Sequence, residues 1–173
     1  MIDAARYSAV EALRDGRRVE IRALVPEDQA GLTAAVARVS TQSLYRRFFA
    51  VRRSFTEQEI EFFTHVDFVN HVALVAVAEE DGKPVIVGGG RYVVVEPGQA
   101  EVAFAVIDAY QGHGIGAALM RHLVAIARDA GLKELVAEVL PDNRPMLKVF
   151  QKCGLSATTK RGSDVVHVTM RLA

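Results

Sequence analysis

The sequence has little that would tie the protein to a membrane, a disulfide framework or nucleic acid. Its single cysteine, Cys153, cannot form an internal disulfide. The 21 basic and 21 acidic side chains cancel, so no overall field attracts nucleic acid or an anionic membrane. No apolar run reaches the roughly 18 residues of a membrane span, and residues 1–4 lack the features of a signal peptide. We therefore expect a cytoplasmic protein that binds neither nucleic acid nor membrane.

Metal-binding spacings, internal repeats and low-complexity linkers are also missing. No Cys or His pair has the spacing of metal ligands, so no metal is expected. At 173 residues, half of them apolar, the chain has the length and the core-forming composition of one domain. We predict a single domain over residues 1–173, in which residues 1–16 are an N-terminal extension with a short helix over residues 3–15 that Gly16 ends. Whether the chain is one domain of a longer regulated protein stays open.

The apolar pattern predicts helices early in the chain. Residues 18–24 alternate as a strand does, and Pro26 begins a helix that reaches about Val39. Ser40 and Ser43 are candidate caps for a second helix, which holds Leu44, Tyr45, Phe48 and Phe49. A capping box over residues 56–59 begins a third.

From His71 onward the pattern changes to strands. Strands are predicted at 72–78, 85–95 and 100–107, separated by turns at 81–82 and 97–98. The remaining elements are a helix over 115–130, a strand over 135–139, a helix from 143 or 145 to 152, and strands at 156–160 and 165–172. This order predicts a mixed α/β sheet.

The most informative feature is the glycine-rich turn at residues 111–116, which joins the strand ending at Ile107 to the long amphipathic helix. Backbone N–H groups in such a turn and the helix N-terminus form an anion site that a phosphate can approach closely. The spacing is not Gly-x-Gly-x-x-Gly, and no Gly-Lys-Ser/Thr triplet follows, so a dinucleotide fold and a nucleotide P-loop both fit poorly. A glycine turn without a ligand stays an alternative.

The order Gln-x-x-Gly-x-Gly-Ala at residues 111–117 resembles the acyl-CoA pyrophosphate loop of the GNAT superfamily of N-acetyltransferases. Asn143 together with residues 148–155, Lys-Val-Phe-Gln-Lys-Cys-Gly-Leu, resembles the second cofactor segment of that superfamily. Residues 43–49, 66–68 and 100–104 are similar to the acetyltransferase domain of bacterial protein lysine acetyltransferases that act on acyl-CoA synthetases. The order of the elements resembles this fold over nearly the whole chain.

The resemblance implies an α/β GNAT fold, whose mostly antiparallel central sheet is flanked by helices and has a splayed strand at the acyl-CoA site. It implies acetyl-CoA as the acyl donor, with the pyrophosphate on the main-chain N–H groups of Gln111, Gly112, His113, Gly114, Ile115, Gly116 and Ala117. Val106 and Ile107 at the strand end would pair with the pantetheine arm as an added strand does. Asn143 would bind that arm from the other side.

Acetyl transfer to an amine requires the neutral amine, and a lysine with a pKa of about 10.4 is protonated at neutral pH. Strand alternation places Glu101, Ala103 and Ala105 on one face, so a carboxylate stands beside two small side chains. We predict Glu101 as the general base, acting directly or through a water, with a pKa raised by partial burial. The matching position in the resembling lysine acetyltransferases carries a catalytic Glu. An ordinary exposed strand carboxylate is the alternative.

Two further steps of the reaction have candidate groups. A backbone N–H at the strand end, that of Val106, would stabilise the negative charge on the carbonyl oxygen. Many family members place a tyrosine on the second cofactor helix to protonate the leaving thiolate, and Phe150 occupies that position here. The thiolate therefore leaves unprotonated, or water or another side chain supplies the proton.

The preferred hypothesis is an acetyl-CoA-dependent N-acetyltransferase in which the amine attacks the thioester directly in a ternary complex. A protein lysine, such as one on an acyl-CoA synthetase, is the favoured acceptor, and a small amine is the alternative. A non-catalytic acyl-CoA-binding sensor or interaction module is the hypothesis of another class, favoured by Phe150 and opposed by Glu101. His65 and His71 are candidates for bounding the acceptor site. The basic cluster at 46–47 and 52–53 is a candidate for an acidic protein surface, the cofactor 3′-phosphate or solvent.

Overall fold

The computed structural model describes residues 1–39, 56–162 and 164–172. The predicted helix with Leu44, Tyr45, Phe48 and Phe49 lies outside the described residues, as do its caps Ser40 and Ser43 and the basic cluster at 46–53. The described strands are β1 (Ser8–Ala12), β2 (Arg18–Ala23), β3 (His71–Glu80), β4 (Lys83–Glu96), β5 (Gln99–Val106), β6 (Glu134–Val139), β7 (Ser156–Arg161) and β8 (Val166–Arg171). The described helices are α1 (Gln29–Ala37), α2 (Glu57–Thr64), α3 (Ile115–Asp129) and α4 (Arg144–Gln151).

All eight strands form one sheet in the order β1-β2-β3-β4-β5-β6-β8-β7. Every neighbouring pair is antiparallel except β5 and β6, which run parallel. Helix α3 covers one face of the sheet. Helix α1 covers the other, where a β-carbon on Gly31 would lie 2.9 Å from Cδ1 of Ile86 on β4. The mixed α/β sheet predicted from the order of the elements is confirmed.

The prediction of a helix over residues 3–15 is wrong. Residues Ala4–Arg6 form a single 3₁₀ turn, and β1 then pairs antiparallel with β2, from Ser8 opposite Arg22 to Ala12 opposite Arg18. An isolated helix of that length is marginal in water, whereas the edge of β2 offers unpaired backbone groups. The glycine loop consequently follows the fifth strand of the sheet instead of the fourth.

The first turn of α2 has the predicted capping box. The Thr56 hydroxyl accepts a hydrogen bond from the backbone N–H of Glu59, and the Glu59 carboxylate accepts one from the N–H of Thr56, both at 3.1 Å. These reciprocal bonds satisfy two donors that a helix start otherwise leaves unpaired. The local sequence thus fixes where α2 begins.

The core lies between α3 and the central strands. Phe104 on β5 is 3% exposed and packs over Gly90 of β4, where a β-carbon would lie 2.6 Å from the Phe104 ring. Leu123 of α3 lies against the same point, since that β-carbon would be 3.3 Å from its Cδ1. Gly90 therefore lets β5 and α3 approach β4 closely.

The parallel pair β5 and β6 separates soon after it starts. The two strands are in register only from Gln99 opposite Glu134 to Glu101 opposite Val136. Beyond Glu101, residues 102–106 remain paired with β4 but not with β6. The sheet therefore opens at this end, as the splayed strand implied by the resemblance requires.

Candidate active site

The opening between β5 and β6 forms a cavity of about 890 Å³. Its walls are β5, the glycine loop, the first turn of α3 and helix α4. Of the residues predicted from the sequence, those that line it are Glu101, Val106, Gln111, Gly112, Gly114, Ile115, Gly116, Ala117, Asn143 and Phe150. We call this cavity the cleft. Most of the residues predicted to form the cofactor site therefore meet around one opening.

The glycine loop has the backbone conformation that its glycines allow. Gly112 and Gly114 have φ angles of 82° and 97°, which are strained for a residue with a β-carbon. Gly114 is the N-cap residue of α3, and the intrahelical bonds begin with the N–H of Ala118 and the Gly114 carbonyl at 3.0 Å. The N–H groups of the first turn therefore have no intrahelical partner. A helix N-terminus at the wall of the cleft is a site for an anion.

The loop histidine differs from the rest of the loop. His113 does not line the cleft. Its Nδ1 atom lies 3.6 Å from the carboxylate of Asp15, in the turn between β1 and β2. The His113 side chain therefore faces the β1–β2 turn.

Of the two residues predicted to pair with the pantetheine arm, Val106 lines the cleft and Ile107 does not. Ile107 is 1% exposed, does not line the cleft, and donates its N–H to the carbonyl of Val87 on β4 at 2.9 Å. The Ile107 N–H is thus not free to pair with a ligand, in contrast to our expectation. Because successive amides of an extended strand point to opposite edges, the N–H of Val106 points away from β4 and toward the opening. The Val106 carbonyl accepts a hydrogen bond from the side chain of Gln111 at 2.9 Å.

Helix α4 supplies the other wall of the cleft. The side-chain oxygen of Asn143 accepts from the N–H of Met146 at 3.4 Å and caps the helix, which leaves its amide NH₂ group as the donor. Phe150 is 2% exposed, and its ring centroid lies 6.0 Å from that of Phe104. The phenyl ring forms part of the floor of the cleft and has no proton to donate.

Glu101 stands at the last paired position of β5 and β6, where the strands begin to separate. It lines the cleft and is exposed. The partial burial that we expected for its carboxylate is therefore not found. Its face of β5 continues with Ala103 and Ala105, as strand alternation predicts.

A second, smaller cavity of about 140 Å³ lies on the face that α1 covers. Ala103 and Ala105 line both cavities, so β5 forms the boundary between them. The walls of the second cavity are mainly apolar, with Leu32 and Val36 from α1 and Phe63 from α2. A group entering here would reach β5 from the side opposite the glycine loop.

Arg91 places a cation in the wall of the second cavity. On β4 it is paired with Ala103 of β5, so the two side chains share a face. Its guanidinium donates to the carbonyl of Phe63 at 3.2 Å and lies 4.9 Å from the centroid of the Phe63 ring. No local sequence pattern points to Arg91, because only the register between β4 and β5 brings it opposite Ala103.

His71 accepts a hydrogen bond from the guanidinium of Arg91. It is 7% exposed, and its Nε2 atom lies 2.9 Å from Nη1 of Arg91, which donates to it. Burial and the neighbouring Arg91 charge lower the pKa of His71 to about 4, although Asp67 acts in the opposite direction. His71 is therefore a neutral acceptor at neutral pH. His71 lines neither cavity. Its link to the second cavity is the hydrogen bond from Arg91, which lines that cavity.

The described residues include neither a membrane-spanning helix nor a metal-binding cluster. No helix within 1–39, 56–162 and 164–172 is both long and apolar enough to cross a membrane. The same ranges contain no group of three or more His, Cys, Asp or Glu side chains placed to hold a metal ion.

The fold and the cleft define the class: a mixed α/β sheet whose parallel pair separates, with a glycine-rich helix N-terminus in the wall of the opening. Comparison with known families identifies the class. Residues 38–155 match the acetyltransferase (GNAT) family, and the protein belongs to that family. It is therefore an acetyltransferase of the N-acetyltransferase type.

The relatives are bacterial acetyltransferases. The chain is 34% identical to an acetyltransferase of Pseudomonas aeruginosa over 95% of its own length and 88% of the relative's. It is 34% identical to acetyltransferase Pat of Mycolicibacterium smegmatis over 82% of its own length, and it spans 42% of Pat. Its structure matches the GNAT domain of S. lividans PAT with a TM-score of 0.85 and 36% identity, covering 95% of this chain and 96% of that domain.

Proposed function

We propose that this acetyltransferase transfers an acetyl group from acetyl-CoA to a lysine side chain of a protein, with Glu101 as the general base. The observation that carries the proposal is the position of β5, with Glu101 where the strands separate and a cavity on either side of Ala103 and Ala105. One cavity offers an anion site for the donor. The other offers a separate path for the acceptor.

The cleft fits acetyl-CoA. The N–H groups at the start of α3 and in the loop would hold the pyrophosphate, and the Val106 N–H would face the pantetheine arm or the thioester carbonyl. The amide NH₂ group of Asn143 would bind the arm from the α4 side. An acetyltransferase of Salmonella typhimurium that shares the fold, with a TM-score of 0.68 and 20% identity, is described with its cofactor acetyl-CoA.

The chemistry follows from this placement. Glu101 removes a proton from the acceptor ammonium, directly or through a water that passes it to solvent, and the amine attacks the thioester carbonyl to form the new C–N bond. The nitrogen then loses a second proton to Glu101 or to water as the tetrahedral intermediate collapses. The Val106 N–H would stabilise the oxyanion before the C–S bond breaks. Phe150 supplies no proton, so the thiolate leaves as such or takes a proton from water, which a thiol with a pKa of about 8.5 allows.

The second cavity favours a lysine as the acceptor. Its apolar walls suit a chain of methylene groups, which a lysine carries beneath its charged end. The Arg91 cation in the wall would disfavour an ammonium nearby and so favour the neutral, nucleophilic amine. The similarity to acetyltransferase Pat and to the GNAT domain of PAT supports a protein acceptor.

The test is a thiol-release assay with acetyl-CoA, a lysine-containing acyl-CoA synthetase and a panel of small amines. We expect release with the protein acceptor. Thiol release with small amines alone would replace the protein lysine by a small amine as the acceptor and keep acetyl transfer as the reaction. Binding of acetyl-CoA without thiol release would support the alternative of a non-catalytic acyl-CoA-binding sensor.

The Glu101→Gln variant tests the base. Removing a positioned general base lowers turnover by about 10²- to 10⁴-fold, while the affinity for acetyl-CoA, measured by calorimetry, is retained. Glu96→Gln at the exposed end of β4 is the matched control, since Glu96 lines neither cavity. Equal turnover of the two variants would remove Glu101 from the mechanism.

A further inference from the structure

The turn between β1 and β2 reaches the anion site from a distant part of the chain. Its shape is fixed by hydrogen bonds from the N–H of Leu13 to the Arg17 carbonyl at 2.7 Å and from the N–H of Gly16 to the Leu13 carbonyl at 3.0 Å. Leu13 is 6% exposed and anchors the turn in the core. The neighbouring Arg14 side chain, by contrast, is exposed and lines the cleft.

Strand β1 is fastened to α3, the helix whose N-terminus forms the anion site. The Glu11 carboxylate accepts from Nε2 of His122 at 2.6 Å and from Arg121 at 3.2 Å. The other ring nitrogen of His122 is hydrogen-bonded to the hydroxyl of Tyr7, which precedes β1. These bonds set the position of the hairpin relative to α3.

The turn also contacts the glycine loop directly. The backbone N–H of Arg14 donates to the His113 carbonyl at 3.3 Å. The Arg17 guanidinium lies 4.5 Å from the centroid of the Tyr110 ring, just before the loop. The turn and the loop therefore form one continuous rim of the cleft.

Arg14 places a guanidinium over the loop. Its Nε atom lies 3.9 Å from the position that a β-carbon would occupy on Gly114, the N-cap of α3. Neighbouring cations are already paired: Arg17 with Asp15 at 2.7 Å, and Arg121 with Glu11. The Arg14 guanidinium, in contrast, makes no hydrogen bond or ion pair with any residue that the structure describes. Its planar set of donors matches a phosphate group.

We infer that Arg14 is a cofactor-binding residue, whose guanidinium pairs with the pyrophosphate of acetyl-CoA when the pyrophosphate lies on the glycine loop. The inference rests on the proposed function. It assigns to the N-terminal hairpin a role that the matched family segment, residues 38–155, does not contain. The pyrophosphate is preferred to the 3′-phosphate because Arg14 lies directly beside Gly114.

The experiment compares the binding of acetyl-CoA and of acetyl-dephospho-CoA, which lacks the 3′-phosphate, to the wild type and to Arg14→Ala by calorimetry. A lost charge-assisted contact predicts about 10- to 100-fold weaker binding, by the same factor for both ligands. Arg14→Lys, which keeps the positive charge but loses the paired N–H donors of the guanidinium, should bind both ligands with intermediate affinity. Arg18→Ala is the matched control, because Arg18 is an exposed residue at the start of β2, beside the same turn but outside the cleft, and its removal changes the net charge equally.

Each other outcome overturns the inference. If Arg14→Ala weakened the binding of acetyl-CoA but not of acetyl-dephospho-CoA, Arg14 would contact the 3′-phosphate instead of the pyrophosphate. Equal binding by wild type, Arg14→Ala and Arg18→Ala would remove it from the site while leaving the proposed function intact. A wild type that binds neither ligand would overturn the proposed function itself, so the two failures are distinguishable.

Discussion

At the scale of single residues, the buried His71 binds a proton less readily in the folded chain than in the unfolded chain, because burial and the Arg91 charge lower its pKa. Its imidazole accepts a hydrogen bond from Arg91 and is confined beside that permanent charge. A proton added to His71 would remove the hydrogen bond and place two cations in contact. The position of Arg91 in the second cavity therefore depends on a neutral His71.

This difference predicts how stability responds to pH. The folded-state pKa of His71 is about 4, below its ordinary value of 6.5. Between these values the unfolded chain binds a proton that the folded chain does not, so the free energy of unfolding falls as the pH drops from 6.5 to 4. The loss amounts to at most about 3 kcal/mol. Urea titrations at a series of pH values measure it.

The variant His71→Gln should reduce that fall, because glutamine can accept from Arg91 and does not titrate. His167→Gln on β8, at an exposed position, is the control and should retain it. The titration of Asp67 does not overlap this range. Hydrogen bonds from backbone N–H groups lower its pKa, so its contribution to the free energy of unfolding is lost only below about pH 4. An unchanged pH dependence in His71→Gln would refute the assignment.

At the scale of secondary-structure elements, one ion pair sets the junction between β2 and α1. The terminal nitrogens Nη1 and Nη2 of Arg22 donate to the two carboxylate oxygens of Asp28 at 2.9 Å, and the same carboxylate accepts from the N–H of Val25 at 2.9 Å. Asp28 is 8% exposed. The pair fixes the direction in which α1 leaves the sheet, and α1 supplies one wall of the second cavity.

Asp28→Asn should lower the free energy of unfolding by about 1–3 kcal/mol, because a partly buried guanidinium loses a charged, two-point partner. Asp3→Asn is the matched control. Its pairing with Arg6 spans 3.9 Å between exposed side chains, so its change should stay within about 0.5 kcal/mol. Urea unfolding of both variants measures the difference, and equal losses would contradict a structural role for the Arg22–Asp28 pair.

The elements differ in how far the sequence predicted them. The glycine loop, α2 and α3 were predicted correctly because local chemistry specifies them: a capping box, positive-φ glycines and helical periodicity. Strand β1 was mistaken for a helix because its alanines carry a helical spacing, whereas pairing with β2 decides its conformation. The propensity of such a segment is easily overridden by a neighbouring strand.

At the scale of the whole molecule, acetyl-CoA bound in the opening of the sheet should raise the free energy of unfolding, because the opening exists only in the folded chain. A ligand that binds the folded state alone, at 100 times its Kd, adds about 2.7 kcal/mol. For a domain of this size that corresponds to a rise in Tm of about 5–10 °C. Thermal unfolding with and without acetyl-CoA measures the rise. Adenosine, which carries no phosphate for the loop, is the control, and equal shifts with both ligands would contradict phosphate binding at α3.

The sequence by itself determined the class of fold, the glycine loop and the residues along β5, because turn chemistry and the alternation of a strand are local properties. Only the tertiary structure decided which distant segments meet. The separation of β5 from β6, Arg91 opposite Ala103, and Arg14 over Gly114 each depend on strand register or on the docking of one element against another. Register depends jointly on the hydrophobic patterns of both partner strands and on the turn that joins them, and docking depends on the packing of separate elements, so no single segment of the sequence records these parts of the site.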